Sequence, residues 1–436
     1  MKLFQYKNWA IGAAAAVLGL GAVSCEDQPD KFELTGGTPV VKYVRVADPE
    51  KADSLLTSAY MENLICLVGD NLTSVKEMYF NDQKAVLNTS YITDHTLLVN
   101  VPKEIPQEVT DKIYMVTSSG ETYTYDFRVL VPQPSVRSMS CEYAKPGMKA
   151  ALIGDYFIDD PNSPLTITFP GNVDVKEITS VAKNRVEFIV PEGATPGYIN
   201  CTSLYGTGRS AFQYMDSRAV MFDWDGSHDG QKIAHGWRDG SKVFKNPGDN
   251  DFDAIDGPYI CFAGDLQAGI GADFAEDNFS FNYWPDAAGG FPAISSMPNI
   301  AAMLDEYELS DLQIKFELLV PSSNPWQACA MQLIFTGDDD VTYANATNAY
   351  ITSNTLPRAL WNPWLATGSY DTAGEWTTIA VPMTSFTSTH EGAGAGGAFN
   401  KDRMTGFTMF VYHGGIEGTD CSPVIAVDNI RISPIE

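Results

Sequence analysis

The feature that most constrains this chain is a repeat in its first half. LVGDNLTSVKEMYFNDQKAVL begins at Leu67 and is followed by TLLVNVPKEIP and IYMVTSSGETYTYDF; about 85 residues later LIGDYF, RVEFIVPEGATPG and YINCTSLYGTGRSAF appear in the same order. Gly69 aligns with Gly154, Pro102 with Pro191, and Gly120 roughly with Gly206. Each copy reads as a strand ending in a glycine turn, a strand running into a proline, and a strand entering a second glycine turn. That punctuation suits a small β-sandwich of about seven strands, so two sandwiches in series are expected. The remaining sequence keeps the same texture, with short apolar segments bounded by Gly, Pro, Asn and Asp and almost no helical periodicity. Short helices are expected only near DSLLTSAY at 53 and NIAAMLDEY at 299. The expected class is all-β.

The second half carries the aromatic chemistry. Apart from Trp9, every tryptophan lies there, at 224, 237, 284, 326, 361, 364 and 376. DLQIKFELLVPSSNPW, ACAMQLIFT, GEWTTIAVPMTSF, GFTMFVYHGG and VIAVDNIRI supply five strands. Between them RALWNPWLATGSYDTAGEW crowds Trp361, Trp364 and Tyr370 among prolines and glycines. A sugar ring offers axial C–H groups on one face and hydroxyls at its rim, so its site needs an apolar plate with polar side chains at the edge. Trp361 and Trp364, stiffened by Pro363, are the first candidates for that plate. Trp326 after SSNP, Trp284 in FNYWPD beside Tyr283, and Tyr370 follow. Arg358, Gln327, Asn362 and Gln332 are candidate donors to ring hydroxyls. The competing reading of each ring is that it turns inward and fills a core.

Other chemistries find little support. With 55 acidic and 28 basic residues the formal charge is −27, which repels phosphate backbones, so nucleic acid is not an expected partner. The five histidines, at 95, 228, 235, 390 and 413, form no HExxH and no nucleophile elbow. Carboxylate pairs occur in FDWDGSHDG at 222–230 and GDDD at 337–340, where acidic turns are the commoner explanation. EGAGAGGAF at 391–399 contains a formal GxGxxG without a βαβ unit around it, so a loop is expected rather than a nucleotide site. Cys66, Cys141, Cys201, Cys261, Cys329 and Cys421 lack CxxC spacing and are expected as buried thiols. No cofactor and no catalytic metal are expected. A structural calcium ion held by Asp223 or Asp225 with Asp428 is the one metal alternative.

The N-terminus carries Lys2 and Lys7, an apolar run from Trp9 to Val23, and Cys25, which reads as a signal peptide. Ala22, Val23 and Ser24 before Cys25 resemble a bacterial lipobox, with Ala22 where many carry Leu, and Glu26 and Asp27 resemble a surface-export signal. The expected organisation is a signal at 1–24, a lipidated tether at 25–37, sandwiches at 38–131 and 132–215, and a β-jelly-roll at 216–436. GDN or GDY, a later VP and a strand with a glycine turn resemble the IPT/TIG immunoglobulin-like domain, which implies that both sandwiches are spacers. GEWTTIAVPM with VDNIRI resembles carbohydrate-binding jelly rolls and implies that Trp376 belongs to a packed strand.

The whole arrangement resembles the surface glycan-binding proteins of polysaccharide utilisation systems, in particular those that bind xyloglucan and related β-glucans. That resemblance implies a noncatalytic, lipid-anchored protein on the outer face of the outer membrane. It would present polysaccharide beside an outer-membrane porin with its lid lipoprotein and a surface glycanase. It also places Trp361 and Trp364 where the family carries platform aromatics. The rival expectations are an endo-acting glycoside hydrolase on the same fold and an adhesin without a glycan site.

Overall fold

A computed structural model describes residues 32–236, 240–268 and 276–436. Cys25 and the signal segment lie outside the described residues. The chain divides between Val131 and Pro132 into two compact units.

In the first unit, strands Val40–Val46, Leu64–Asp70 and Thr96–Asn100 form one sheet with Leu55–Leu56, and Val75–Phe80, Lys112–Thr117 and Thr122–Asp126 form another with Gln83–Lys84. Ile65, Leu67 and Val99 from the first sheet meet Met78, Phe80 and Met115 from the second in one core. DSLLTSAY, expected as a helix, instead forms Leu55–Leu56 and Ser58–Tyr60. The first pairs with Val44 and Arg45, and the second with Arg128–Leu130. Available strand partners outweigh a weak local helical pattern.

The repeat proves to be one structural device used twice. Strand Lys149–Asp155 has the same sequence of buried and exposed positions as Leu64–Asp70. A Cβ on Gly69 would lie 1.9 Å from the Val40 carbonyl oxygen, and one on Gly154 would lie 1.8 Å from that of Ser135. In each case the neighbouring strand shifts register beside the glycine. Two residues on, Asn71 and Tyr156 both adopt left-handed backbone, with φ of 56° and 59°.

The second unit joins this middle sandwich to the C-terminal one. The C-terminal domain has two sheets. The first contains Phe244–Lys245, Tyr259–Ala263, Val424–Pro434, Leu312–Leu319 and Thr377–Pro382, with Val220–Phe222 paired to Val424–Pro434. The second contains Ser280–Tyr283, Gly406–Val411, Met331–Thr336 and Ala359–Trp361. Strand alternation sends Ile260, Leu318 and Val427 into the core between the sheets. Their neighbours Cys261, Leu319 and Ala426 turn the other way and enter the core of the middle sandwich, among Leu152, Phe188 and Tyr214. Trp376 is buried in that same cluster, its indole N–H donating to the Asp253 carbonyl at 2.8 Å. The helix Pro298–Glu306 forms where NIAAMLDEY is expected to be helical and buries Ile300, Met303 and Leu304.

The sandwich at 132–215 is therefore not an independent module, because it shares its core with the C-terminal domain. Charge joins them as well. Glu142 of the middle sandwich accepts from Lys315 Nζ at 2.7 Å and from Arg431 at 2.8 Å, and Arg431 also donates to Glu317 at 2.7 Å. Arg431 and Glu317 are fully buried, and the guanidinium lies over the Tyr143 ring, 4.6 Å from its centroid. Two cations face two anions, so the burial of each is compensated.

Candidate functional site

The sheet alternation decides where each expected sugar-binding residue goes. Trp284 follows Ser280–Tyr283 and is fully buried against Tyr350, with Ile334, Val341 and Phe410 around it. Trp326 is also fully buried; its indole N–H donates to the Ala328 carbonyl, and its backbone pairs with Tyr370. Trp364 lies in the short helical turn Pro363–Ala366, 3% exposed, with its N–H on the Cys329 carbonyl at 2.8 Å. None of these three rings presents a face to solvent, so the assignment of Trp284, Trp326 and Trp364 as sugar plates is corrected: they are packing residues.

Arg358 is corrected likewise. It is fully buried and donates to Gln332 Oε1 at 3.0 Å and to the carbonyls of Ile351 and Tyr350. Burial pulls its pKa down to about 10, and its two terminal nitrogens are engaged by Gln332 and by the Tyr350–Ile351 backbone, away from solvent. Gln332 is buried with it. Trp361 and Tyr370 remain half-buried at the rim. Trp361 makes edge contacts with Trp326 and Tyr370, both at 5.6 Å, and with Phe316 at 6.1 Å. Burial pushes the Tyr370 hydroxyl up to about 12. The RALWNPW aromatics thus close one end of the sandwich.

An aromatic platform does stand elsewhere in the domain. The His235 ring stacks on Phe291 with centroids 3.5 Å apart and planes 9° apart, and on Tyr343 at 4.3 Å and 19°. Three separate segments deliver these rings. His235 is held by its N–H on the Asn282 carbonyl and its own carbonyl on the Trp284 N–H, at the end of Ser280–Tyr283. Phe291 closes a tight turn whose backbone exchanges two hydrogen bonds with Asp286. Tyr343 comes from the loop after Met331–Thr336, its N–H on the Pro285 carbonyl. Asp286 Oδ2 lies 3.5 Å from His235 Nε2. Tyr343, held by His235 on its inner face, is 51% exposed. A flat, supported ring with a free face and a carboxylate nearby has the parts that a sugar plate needs.

Sequence reasoning missed this site because its three rings are far apart in the chain and none belongs to an aromatic cluster. One local signal was available. Tyr343 is the only large aromatic in the polar stretch GDDDVTYANATN, whose one larger apolar residue is Val341.

The acidic turns have structural employment. Both Asp223 oxygens accept backbone N–H groups, from Gly226, His228 and Gly230. Asp340 accepts from the Gly337 N–H and from Arg403. Asp428 is buried, which pushes its carboxyl well above the usual range, and it lies beside Asp256. Asp256 accepts from His228 Nε2 at 3.1 Å. Asp223 is thus engaged by backbone N–H groups, and among the described residues no set of three His, Cys, Asp or Glu groups is arranged to hold a metal. All six described cysteines are unpaired, five of them buried.

Comparison with known proteins bears on this geometry. Residues 214–434, just over half of the chain, match the family model described as "Surface glycan-binding protein B xyloglucan binding domain". The crystal structure of the surface glycan-binding protein PbSGBP-B from Prevotella bryantii is similar over 92% of this chain and 100% of that one, at 35% identity and a TM-score of 0.75. An IPT/TIG domain-containing protein of Bacteroides ovatus is 32% identical over 177 residues, which is 38% of this chain and 35% of that relative. The match thus spans about a third of the relative's length.

Proposed function

Because this chain belongs to the surface glycan-binding protein B family, whose xyloglucan binding domain it carries over residues 214–434, we propose that it captures a β-glucan or hemicellulose such as xyloglucan by stacking a sugar on Tyr343. The family is one of binding proteins rather than enzymes, so the bound polymer is held intact. The observation that carries the reading is the Tyr343–His235–Phe291 stack, a platform fixed from three segments at once. Such preorganisation lowers the entropy lost on binding. In the same reading Cys25 carries the lipid that anchors the chain to the outer membrane, facing out, and the captured polymer passes to a surface glycanase and a porin with its lid lipoprotein.

Affinity electrophoresis of the chain from Phe32 onward, through gels containing xyloglucan, mixed-linkage β-glucan, galactomannan and xylan, tests the reading. Retardation is expected in a β-glucan or hemicellulose gel. Tyr343→Ala removes an exposed ring and should cost about 2 kcal/mol, roughly thirtyfold in affinity, with an unchanged circular dichroism spectrum. Trp361→Ala serves as the comparison, since that ring is half-buried at the opposite end of its strands. A loss of binding confined to Trp361→Ala would move the platform back to the RALWNPW end.

A further inference from the structure

The glycine-rich run EGAGAGGAF at 391–399 forms part of a strap that lies over the edge of the second sheet. The strap is rooted at Ser388, whose backbone exchanges hydrogen bonds of 2.9 and 3.1 Å with Arg358, just before the edge strand Ala359–Trp361. The His390 carbonyl then accepts from the Gly414 N–H at 3.1 Å and from Gln332 Nε2 at 3.5 Å. Farther along, the Gly396 N–H donates to the Asn354 carbonyl at 3.3 Å. A Cβ on Gly415 would lie 1.8 Å from the Glu391 carbonyl oxygen, so the strap is pressed against the backbone that follows strand Gly406–Val411.

What the strap covers is basic. Arg358 is fully buried, has no carboxylate partner among the described residues, and keeps its Nε without a hydrogen bond. The His390 imidazole is 8% exposed, and its Nδ1 is buried without a partner. The His413 ring, also buried, lies 5.9 Å from that of His390. Its Nδ1 accepts from the Gly415 N–H at 3.2 Å, which requires that nitrogen to be unprotonated. Glu391 brings the nearest carboxylate among the described residues, 3.5 Å from His390 Nε2, but its side chain is 58% exposed and screened by water.

A neutral imidazole suits this setting and an imidazolium does not, because it would join a buried guanidinium that lacks a counter-charge of its own. Burial holds the His390 pKa below the ordinary 6.5, against the pull of Glu391, and Arg358 and His413 depress it further. The stability of the closed strap is therefore fully present above 6.5 and is lost as pH falls through the lower folded value. Lifting the strap hydrates His390, and Gly392, Gly394, Gly396 and Gly397 leave the backbone free to do so.

We propose that protonation of His390 lifts the strap at 388–397 off the second sheet, so that Arg358 and Gln332 meet water in acid and are sealed at neutral pH. The device is independent of what Tyr343 binds.

Hydrogen–deuterium exchange on the chain from Phe32 onward, read by mass spectrometry from about pH 8 to about pH 5 and corrected for the intrinsic exchange rate, tests it. Opening of 388–397 should grow about tenfold for each pH unit below 6.5 until the folded value is reached. Strand Gly406–Val411, in the interior of the same sheet, should stay protected. His390→Gln, which cannot take a charge, should abolish the dependence, and Glu391→Gln, which removes the opposing carboxylate, should move it to lower pH. Flat protection in the wild type, or the same dependence in His390→Gln, overturns the proposal. So does a loss of protection shared by Gly406–Val411, which would mean that acid unfolds the whole domain. Where His390→Gln loses the strap at every pH, Glu391→Gln decides: a midpoint moved to lower pH supports the proposal, and an unmoved one overturns it.

Discussion

Arg431 shows how much a single side chain can hold together. It sits on the last strand, fully buried, with Glu317 of its own domain and Glu142 of the middle sandwich as its partners. Arg431→Met should destabilise the second unit by about 3–5 kcal/mol in urea denaturation, because two buried carboxylates lose their shared counter-charge. Close by, His228 predicts a pH dependence. The Asp256 hydrogen bond raises its pKa above the ordinary 6.5, so its contribution is fully present below 6.5 and is lost as pH rises through the raised value. Asp428, raised by burial, has the same sign: its contribution is present below the ordinary 3.8 and is lost as pH rises through its folded value. The melting temperature should therefore fall as pH rises past 6.5, and His228→Gln should flatten the curve; a wild-type curve already flat there would contradict the assignment. Residue identity alone did not reveal these roles, nor which tryptophans face inward. Trp361 and Trp364 look like a presented pair in the sequence, yet one ends an edge strand and the other turns into the core on a short helical turn. That choice is made by the sheet, not by the spacing.

At the level of the element, the sequence was more informative. The Gly–Asp pairs of the repeat mark strands whose glycines touch a neighbouring backbone, and the next residue takes the left-handed turn in both copies. Gly69→Ala and Gly154→Ala should each lower stability by several kcal/mol, on the order of 3, since each Cβ would fall within 2 Å of a carbonyl oxygen that belongs to a paired strand. Thermal melts of the two variants check this, and an unchanged melting temperature in either would show that the neighbouring strand can move aside. Such signals are legible because a backbone constraint leaves its mark on one residue type. DSLLTSAY was misread for the opposite reason: its short apolar run fits either period, and the partners of Ser58–Tyr60, Arg128–Leu130, lie well outside any local window. The Tyr343–His235–Phe291 stack was hidden in the same way, as a meeting of three loops.

For the whole molecule, the all-β class followed from strand punctuation, but the union of the middle sandwich with the C-terminal one did not. An unbroken apolar run such as YICFA tells that a strand's second face is buried but not what buries it, and Cys261, Leu319 and Ala426 would suit any buried sheet. The consequence can be measured. A fragment of residues 216–436 exposes Tyr259, Leu319 and Trp376 and strips Glu142 from Lys315 and Arg431, so it should aggregate or melt at a lower temperature. Residues 132–436 should melt in a single transition. Two separate transitions would mean that the seam contributes little.

That seam also bears on what a captured polymer does to its captor. A long polysaccharide moving in flowing water drags on whatever holds it, and a protein under tension yields first where its parts are joined most weakly. Here the middle sandwich and the domain that carries the platform are fastened by interlocked apolar faces and by a charge cluster sealed from water. A polymer held on Tyr343 as proposed would therefore load some three hundred residues as one compact unit, and the short strand-to-strand link near residue 216 would be spared from acting as a fuse.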